Sequence, residues 1–120
     1  MIELKVQGEL CSKSNSRRIV NYGGHPRVIK SQKALDYEYS STLQIKRQLG
    51  QQGTIEGQVS IEVHVWYASR RPDLDIALIQ DVLQKAGVYK NDRQVFEIHA
   101  FKYLDKENPR VLIRIREIEV

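Results

Sequence analysis

The sequence predicts an α+β domain: a single mixed β-sheet with two main helices. Three observations carry this. Val59, Ile61, Val63, Val65 and Tyr67 alternate with Ser60, Glu62, His64 and Trp66, the period of a half-buried strand. From Ile76 the period turns helical, with Ile79, Val82, Leu83 and Ala86 on one face and Gly87 at the stop. Strands and helices also interleave along the chain, in the order strand, hairpin, helix, strand, helix, strand, strand, which places helices against a shared sheet.

Each element has its own local cause. Ile2, Leu4 and Val6 alternate with Glu3, Lys5 and Gln7, a first strand ended by Gly8. Arg18-Ile19-Val20 and Arg27-Val28-Ile29 flank Tyr22-Gly23-Gly24-His25, whose glycines supply the positive φ of a reversal, so a hairpin or loop studded with cations is expected. Ser31 caps a helix that Gly50 stops, and Leu35, Tyr39 and Leu43 recur every four residues as its expected packing stripe, with Tyr37 beside it. After residues 51–57 comes the strand 59–67, on which Trp66 and His64 are expected to pack beneath a helix. A strand over 95–103, a turn through Asn108-Pro109 and a last strand alternating Val111, Ile113 and Ile115 with Arg114 and Arg116 complete the chain.

A length of 120 residues with 41% hydrophobic and 28% charged side chains suits one domain, residues 1–120, and excludes disordered and low-complexity classes. Charges at Glu3, Lys5 and Glu9 interrupt the apolar core that a signal peptide needs, so a cytoplasmic location is expected, with host and phage or prophage origin both open. A lone Cys11 forms no internal disulfide and reads as an inert thiol, and the scattered His25, His64 and His99 have no zinc spacing. Any metal must therefore be held by carboxylates.

The formal charge of +4 is unevenly spread. Residues 13–47 carry eight cations (Lys13, Arg17, Arg18, Arg27, Lys30, Lys33, Lys46, Arg47) against Asp36 and Glu38, a balance of +6, and the remainder is −2. Such a stretch suits a polyanion, whose counterions are released on binding. Solvated helix faces carry similar charge.

Asp73 and Asp75 are spaced by two where strand gives way to helix, so in extended backbone both carboxylates face one side. Oxygen ligands of this kind suit Mg²⁺ or Mn²⁺, which keep positions open for phosphate oxygens, and Asp92 is the natural third acid. On DNA, such a site lowers the pKa of a bound water and stabilises charge on the leaving oxygen. The competing reading is structural: either aspartate can cap the amides of residues 76–78. Arg70 and Arg71 either draw a phosphate toward the acids or serve as their counter-charges.

The run 70–95, RRPDLDIALIQDVLQKAGVYKNDRQV, resembles the central segment of the RusA-like Holliday junction resolvases. Those read Arg-x-x-Asp-Leu-Asp, a helix ending near Lys-Ala-Gly, and then Asp-Asp-x-Gln-Val. Ser14-Asn15-Ser16-Arg17-Arg18 is similar, more loosely, to the family's N-terminal polar loop. The resemblance implies a homodimeric, Mg²⁺-dependent (or Mn²⁺-dependent) endodeoxyribonuclease that binds four-way DNA junctions and nicks two strands symmetrically in recombination and repair. By the same resemblance Asp73, Asp75 and Asp92 match its metal-binding catalytic aspartates, and Asn15, Arg17, Arg18, Arg27, Lys30, Lys33, Arg70 and Arg71 make up the expected DNA surface.

The chain also departs from that pattern. Ile76-Ala77-Leu78-Ile79 stands where the family has Asn and then Lys, so Lys85, Lys90 or Arg93 is expected to substitute for the lysine. Asn91 replaces the first acid of the Asp-Asp pair while keeping an oxygen ligand. A straight helix from Asp75 to Gly87 spans ~18 Å, and the next five residues reach at most ~17 Å. Asp92 therefore returns to Asp75 only from a partner chain, or if the helix is shorter. A non-catalytic nucleic-acid-binding module is the alternative reading, with the aspartates as caps.

Overall fold

The computed structural model describes residues 1–13 and 17–119. In chain order the elements are β1 (Ile2–Gln7), β2 (Arg17–Tyr22), β3 (His25–Lys30), α1 (Gln32–Leu49), β4 (Val59–Tyr67), α2 (Ala77–Lys85), a single 3-10 turn (Asp92–Gln94), β5 (Val95–Leu104) and β6 (Arg110–Glu117). This is the α+β class with a mixed sheet and two helices that the sequence predicts. The hairpin does not join that sheet: β2 and β3 form a two-stranded sheet of their own beside a four-stranded one ordered β1-β6-β4-β5.

β4 runs parallel to β5 and antiparallel to β6, so α2 is the crossover of a β-α-β unit. The 105–109 turn then carries the chain across the end of β4, where Asp105 N–H donates to Tyr67 O at 2.8 Å, and β5 and β6 flank that strand on opposite sides. Period-two patterning divides the sheet into two faces. Leu4, Val6, Ile61, Val63, Val65, Val111, Ile113 and Ile115 point to the helices and are buried together with Leu78, Ile79, Val82 and Leu83 of α2.

The other face is uncovered. His64 and Trp66 lie there and not under a helix, correcting the expectation for both, because the β4 residues that alternate with them fill the core. They stack with β5: the Trp66 and Tyr103 centroids are 4.7 Å apart and those of His64 and Phe101 4.8 Å, with the Arg110 guanidinium 4.2 Å above the indole. His99 is exposed on this face, where it helps line a groove of about 480 Å³ with Glu62 and Arg114.

Helix α1 packs through a different stripe from the one its aliphatic residues suggest. Ala34, Glu38, Ser41 and Ile45 are its buried residues, whereas Leu35, Tyr39 and Leu43 face outward and Tyr39 is 70% exposed. Two sets of polar contacts fix this rotation. Gln44 and Gln48 reach the open edge of β1, each side-chain amide both accepting from and donating to one strand residue: Gln48 with Lys5 N–H (2.8 Å) and C=O (2.6 Å), Gln44 with Gln7 N–H (2.8 Å) and C=O (3.2 Å). On the buried side the Glu38 carboxylate meets Lys30 of β3 at 2.9 Å and Lys85 of α2 at 3.2 Å. Burial would raise the Glu38 carboxyl, but hydrogen bonds and charge from Lys30 and Lys85 outweigh it and hold the carboxyl below its ordinary value.

Gly23 and Gly24, at φ 57° and 82°, make the two-residue turn that joins β2 to β3 in the twist-matched hairpin geometry. The hairpin is a ribbon with Ile19 and Val28, directly paired, both exposed. Gly87, at φ 81°, ends α2 after nine residues and turns the chain back along it.

Replacing Gln44 and Gln48 together by alanine should strip β1 of its edge partners and cost roughly 1 kcal/mol per residue, read as a lowered urea midpoint. For Glu38, a folded pKa below the ordinary 4.5 means the stabilisation is present above that pH and is lost as pH falls through the folded value. Glu38→Gln should therefore be about 2 kcal/mol less stable than the parent near neutrality, with the gap closing in acid. A gap independent of pH between 3 and ~7 would contradict the assignment.

Candidate active site

The candidate acids are carried by two segments, and each hangs from a buried tyrosine. Tyr67 is the last residue of β4 and is 2% exposed; its hydroxyl donates to Asp73 O at 3.1 Å. The loop between them is fastened at two further points: Glu9 accepts from Ala68 N–H at 2.6 Å, and Lys102 Nζ of β5 donates to the carbonyls of Arg70 and Pro72. Burial raises the Tyr67 pKa, with the negative charges of Asp75, Glu9 and Asp73 adding to the shift. The hydroxyl therefore stays protonated as a donor.

At the end of this loop Asp73 is exposed and Asp75 half-buried. Asp75 Oδ1 accepts from Ala77 N–H at 3.0 Å, so it does cap the start of α2 as the structural reading requires. Its second oxygen, Oδ2, is turned the other way and accepts from Ser12 Oγ at 2.9 Å. The cap therefore occupies one of the two carboxylate oxygens.

The second tyrosine brings Asp92 back. After Gly87 the chain reverses beside α2, and Tyr89, fully buried, donates its hydroxyl toward Asp92 Oδ1 at 3.2 Å and Gln80 O at 3.3 Å. Asp92 thus lies level with the middle of α2, roughly 7–8 Å along the axis from Asp75. α2 stops at Lys85, short of the full span from Asp75 to Gly87, so within one chain Asp92 comes back as far as the Gln80 carbonyl. Burial, the Asp92 charge and its hydrogen bond, and then the Asp81 charge all push the Tyr89 pKa up. Asp81, which nothing in the sequence singles out, is the next residue after Gln80, whose carbonyl the Tyr89 hydroxyl reaches.

The side chains named as ligands or cations are distributed as follows. Asn91 Oδ1 accepts from Arg93 N–H at 2.9 Å and Gln94 Oε1 accepts from Asn91 N–H at 3.0 Å, a capping box for the 3-10 turn, so the Asn91 oxygen serves the backbone. Lys85 is paired with Glu38, and Lys90 with Glu56 at 2.7 Å. Arg93, Arg70 and Arg71 are exposed, the last two immediately before Asp73. Arg18, Arg27 and Lys33 are also exposed, while Lys30 is shared between Glu38 and, at 3.6 Å, Asp81. Asn15 lies outside the described residues, and of Arg17 only the backbone position in β2 is described. Cys11 is buried, and burial raises its thiol pKa, as befits an inert side chain.

Among the described residues, no three histidine, cysteine or acidic side chains gather closely enough to cage a metal. The donors at Asp73 and Asp75 are all oxygen, and Mg²⁺ is held by one or two carboxylates with water and substrate phosphate completing its shell. The pair fits that mode in chemistry, with the Ser12 hydroxyl as the contact an ion would replace. No helix of the described residues is long and apolar enough to cross a membrane.

Comparison with known proteins identifies the family of the chain. The profile of the family described as Endodeoxyribonuclease RusA matches residues 9–116. A crossover junction endodeoxyribonuclease RusA from Aquifex aeolicus (strain VF5) is 32% identical over 121 residues, covering 98% of this chain and 93% of the relative. From Glu9, which fastens the Asp73 loop, through the last strand of the sheet, the chain belongs to the RusA family of endodeoxyribonucleases.

Proposed function

We propose that this protein is a structure-specific endodeoxyribonuclease that binds four-way DNA junctions and resolves them by paired, symmetric, Mg²⁺-dependent nicks, with Mn²⁺ as the other suitable ion. The observation that carries the reading is the Asp73-Leu74-Asp75 loop, fixed by Tyr67, Glu9 and Lys102 at the end of β4, in a chain of an endodeoxyribonuclease family.

In this reading Asp73 and Asp75 hold the ion, and Asp92 contributes the third carboxylate from across α2. Mg²⁺ supplies a water acidic enough to attack at neutral pH and positive charge beside the scissile phosphate. The chain's own residues set the geometry: Tyr67 and Tyr89 hold the two acid segments, and Arg70 and Arg71 offer exposed cations next to Asp73. The β2–β3 ribbon, with Arg18 and Arg27 exposed, contacts phosphates and so positions the junction without reading its sequence. A homodimer provides two such sites about a twofold axis, matching a four-way junction.

A second reading is favoured by one contact, the Asp75 cap on Ala77: a nucleic-acid-binding module whose aspartates are structural. The two readings part on metal. A labelled four-way junction incubated with Mg²⁺ should give paired nicks, and Asp75→Asn should slow them by ~10³-fold with junction binding retained. Binding without cleavage under any divalent ion would select the module.

A further inference from the structure

We propose that Lys13 is the cation that contacts the scissile phosphate at the Asp73, Asp75 and Asp92 site, held near it in the free protein by Asp81. The inference rests on the nuclease reading above. It assigns a phosphate contact to a residue of the N-terminal segment, outside the acid-bearing loops.

Three observations carry it. Ser12 donates to Asp75 Oδ2 at 2.9 Å, so the backbone at Lys13 is fixed one residue from that carboxylate. Lys13 Nζ then lies 2.9 Å from Asp81 Oδ2, and Asp81 follows Gln80, whose carbonyl accepts from the Tyr89 hydroxyl that also reaches Asp92. The ammonium therefore sits between the two acid segments. Finally, the pair is open to solvent on its lysine side, with the Lys13 side chain 37% exposed, so its ammonium can turn from Asp81 to a phosphate.

Asp81 also has a second cation, Lys30 at 3.6 Å, and so remains neutralised when Lys13 leaves it. Of the other ammonium groups, Lys85 is drawn to the buried Glu38 and Lys102 to the carbonyls of the loop it fastens. In the reaction Lys13 forms no covalent bond and gives up no proton. It adds positive charge beside a non-bridging oxygen while water adds to phosphorus and the leaving oxygen departs, where charge complementarity lowers the barrier.

The test is single-turnover cleavage of a labelled four-way junction in Mg²⁺ by the full chain, with junction affinity and thermal melting measured on each variant. Lys13→Gln should cleave ~10²-fold more slowly than the parent, with affinity changed by no more than about threefold. Lys106→Gln, on the exposed turn between β5 and β6, serves as the lysine-loss control and should cleave within about threefold of the parent. A mere pin between Lys13 and Asp81 predicts that Asp81→Asn loses as much rate as Lys13→Gln; a phosphate contact predicts a far smaller loss. Alkylating Lys13→Cys with 2-bromoethylamine rebuilds a lysine-length ammonium and should restore at least about a tenth of the parental rate, whereas iodoacetamide should not. The parent treated in parallel controls for Cys11. If the parent cleaves and Lys13→Gln cleaves equally well, or if Asp81→Asn matches its loss, the proposal fails and the nuclease reading stands. If the parent does not cleave at all, both fail.

Discussion

One buried carboxylate decides how the ribbon and the two helices come together. Glu38 sits on the inner face of α1, and its ammonium partners come from the end of the ribbon, Lys30, and the end of α2, Lys85. A buried carboxylate without a partner is strongly unfavourable, so these three elements are compelled to meet. Lys30 passes the constraint on through Asp81 to Lys13, and Ser12 next to it reaches Asp75. The ribbon, the N-terminal segment and both helices are thus linked by charge along one side of α2.

The acids themselves are positioned by neutral donors. Tyr67 and Tyr89 are buried aromatic side chains whose hydroxyls emerge where the loops need holding, and burial together with neighbouring negative charge keeps both protonated. A tyrosine suits this place because it spends most of its area on packing and delivers one directional donor at its tip. A lysine there would neutralise the carboxylates it positions. The site keeps its negative charge because hydroxyls brace its acids, and the exposed Arg70 and Arg71 stand at its rim.

Much of the fold was legible in sequence because its causes are local. The β4 alternation, the Ser31 cap and the Gly23-Gly24 turn each act within a few residues, and the structure contains all three. The α1 stripe was misread for a physical reason: Leu35, Tyr39 and Leu43 have helical spacing, but Gln44, Gln48 and Glu38 have tertiary partners that set the rotation of the helix, and polar side chains carry no periodic signal. His64 and Trp66 were misplaced because alternation identifies two faces without saying which one a helix covers. At the site, the Asp-x-Asp pair was visible by spacing, whereas Asp81, Tyr89 and Ser12 became visible only once the reversal at Gly87 and the N-terminal segment had been placed.

The glutamine clamp on β1 makes the two ends of the sheet unequal. One edge has its hydrogen-bonding groups at Lys5 and Gln7 already satisfied from α1, while at the other end β5 has no strand beyond it among the described residues and carries Phe96, Ile98 and Leu104 exposed. A strand added at β1 would first have to displace the two glutamines, so the clamp closes that end of the four-stranded sheet to edge pairing.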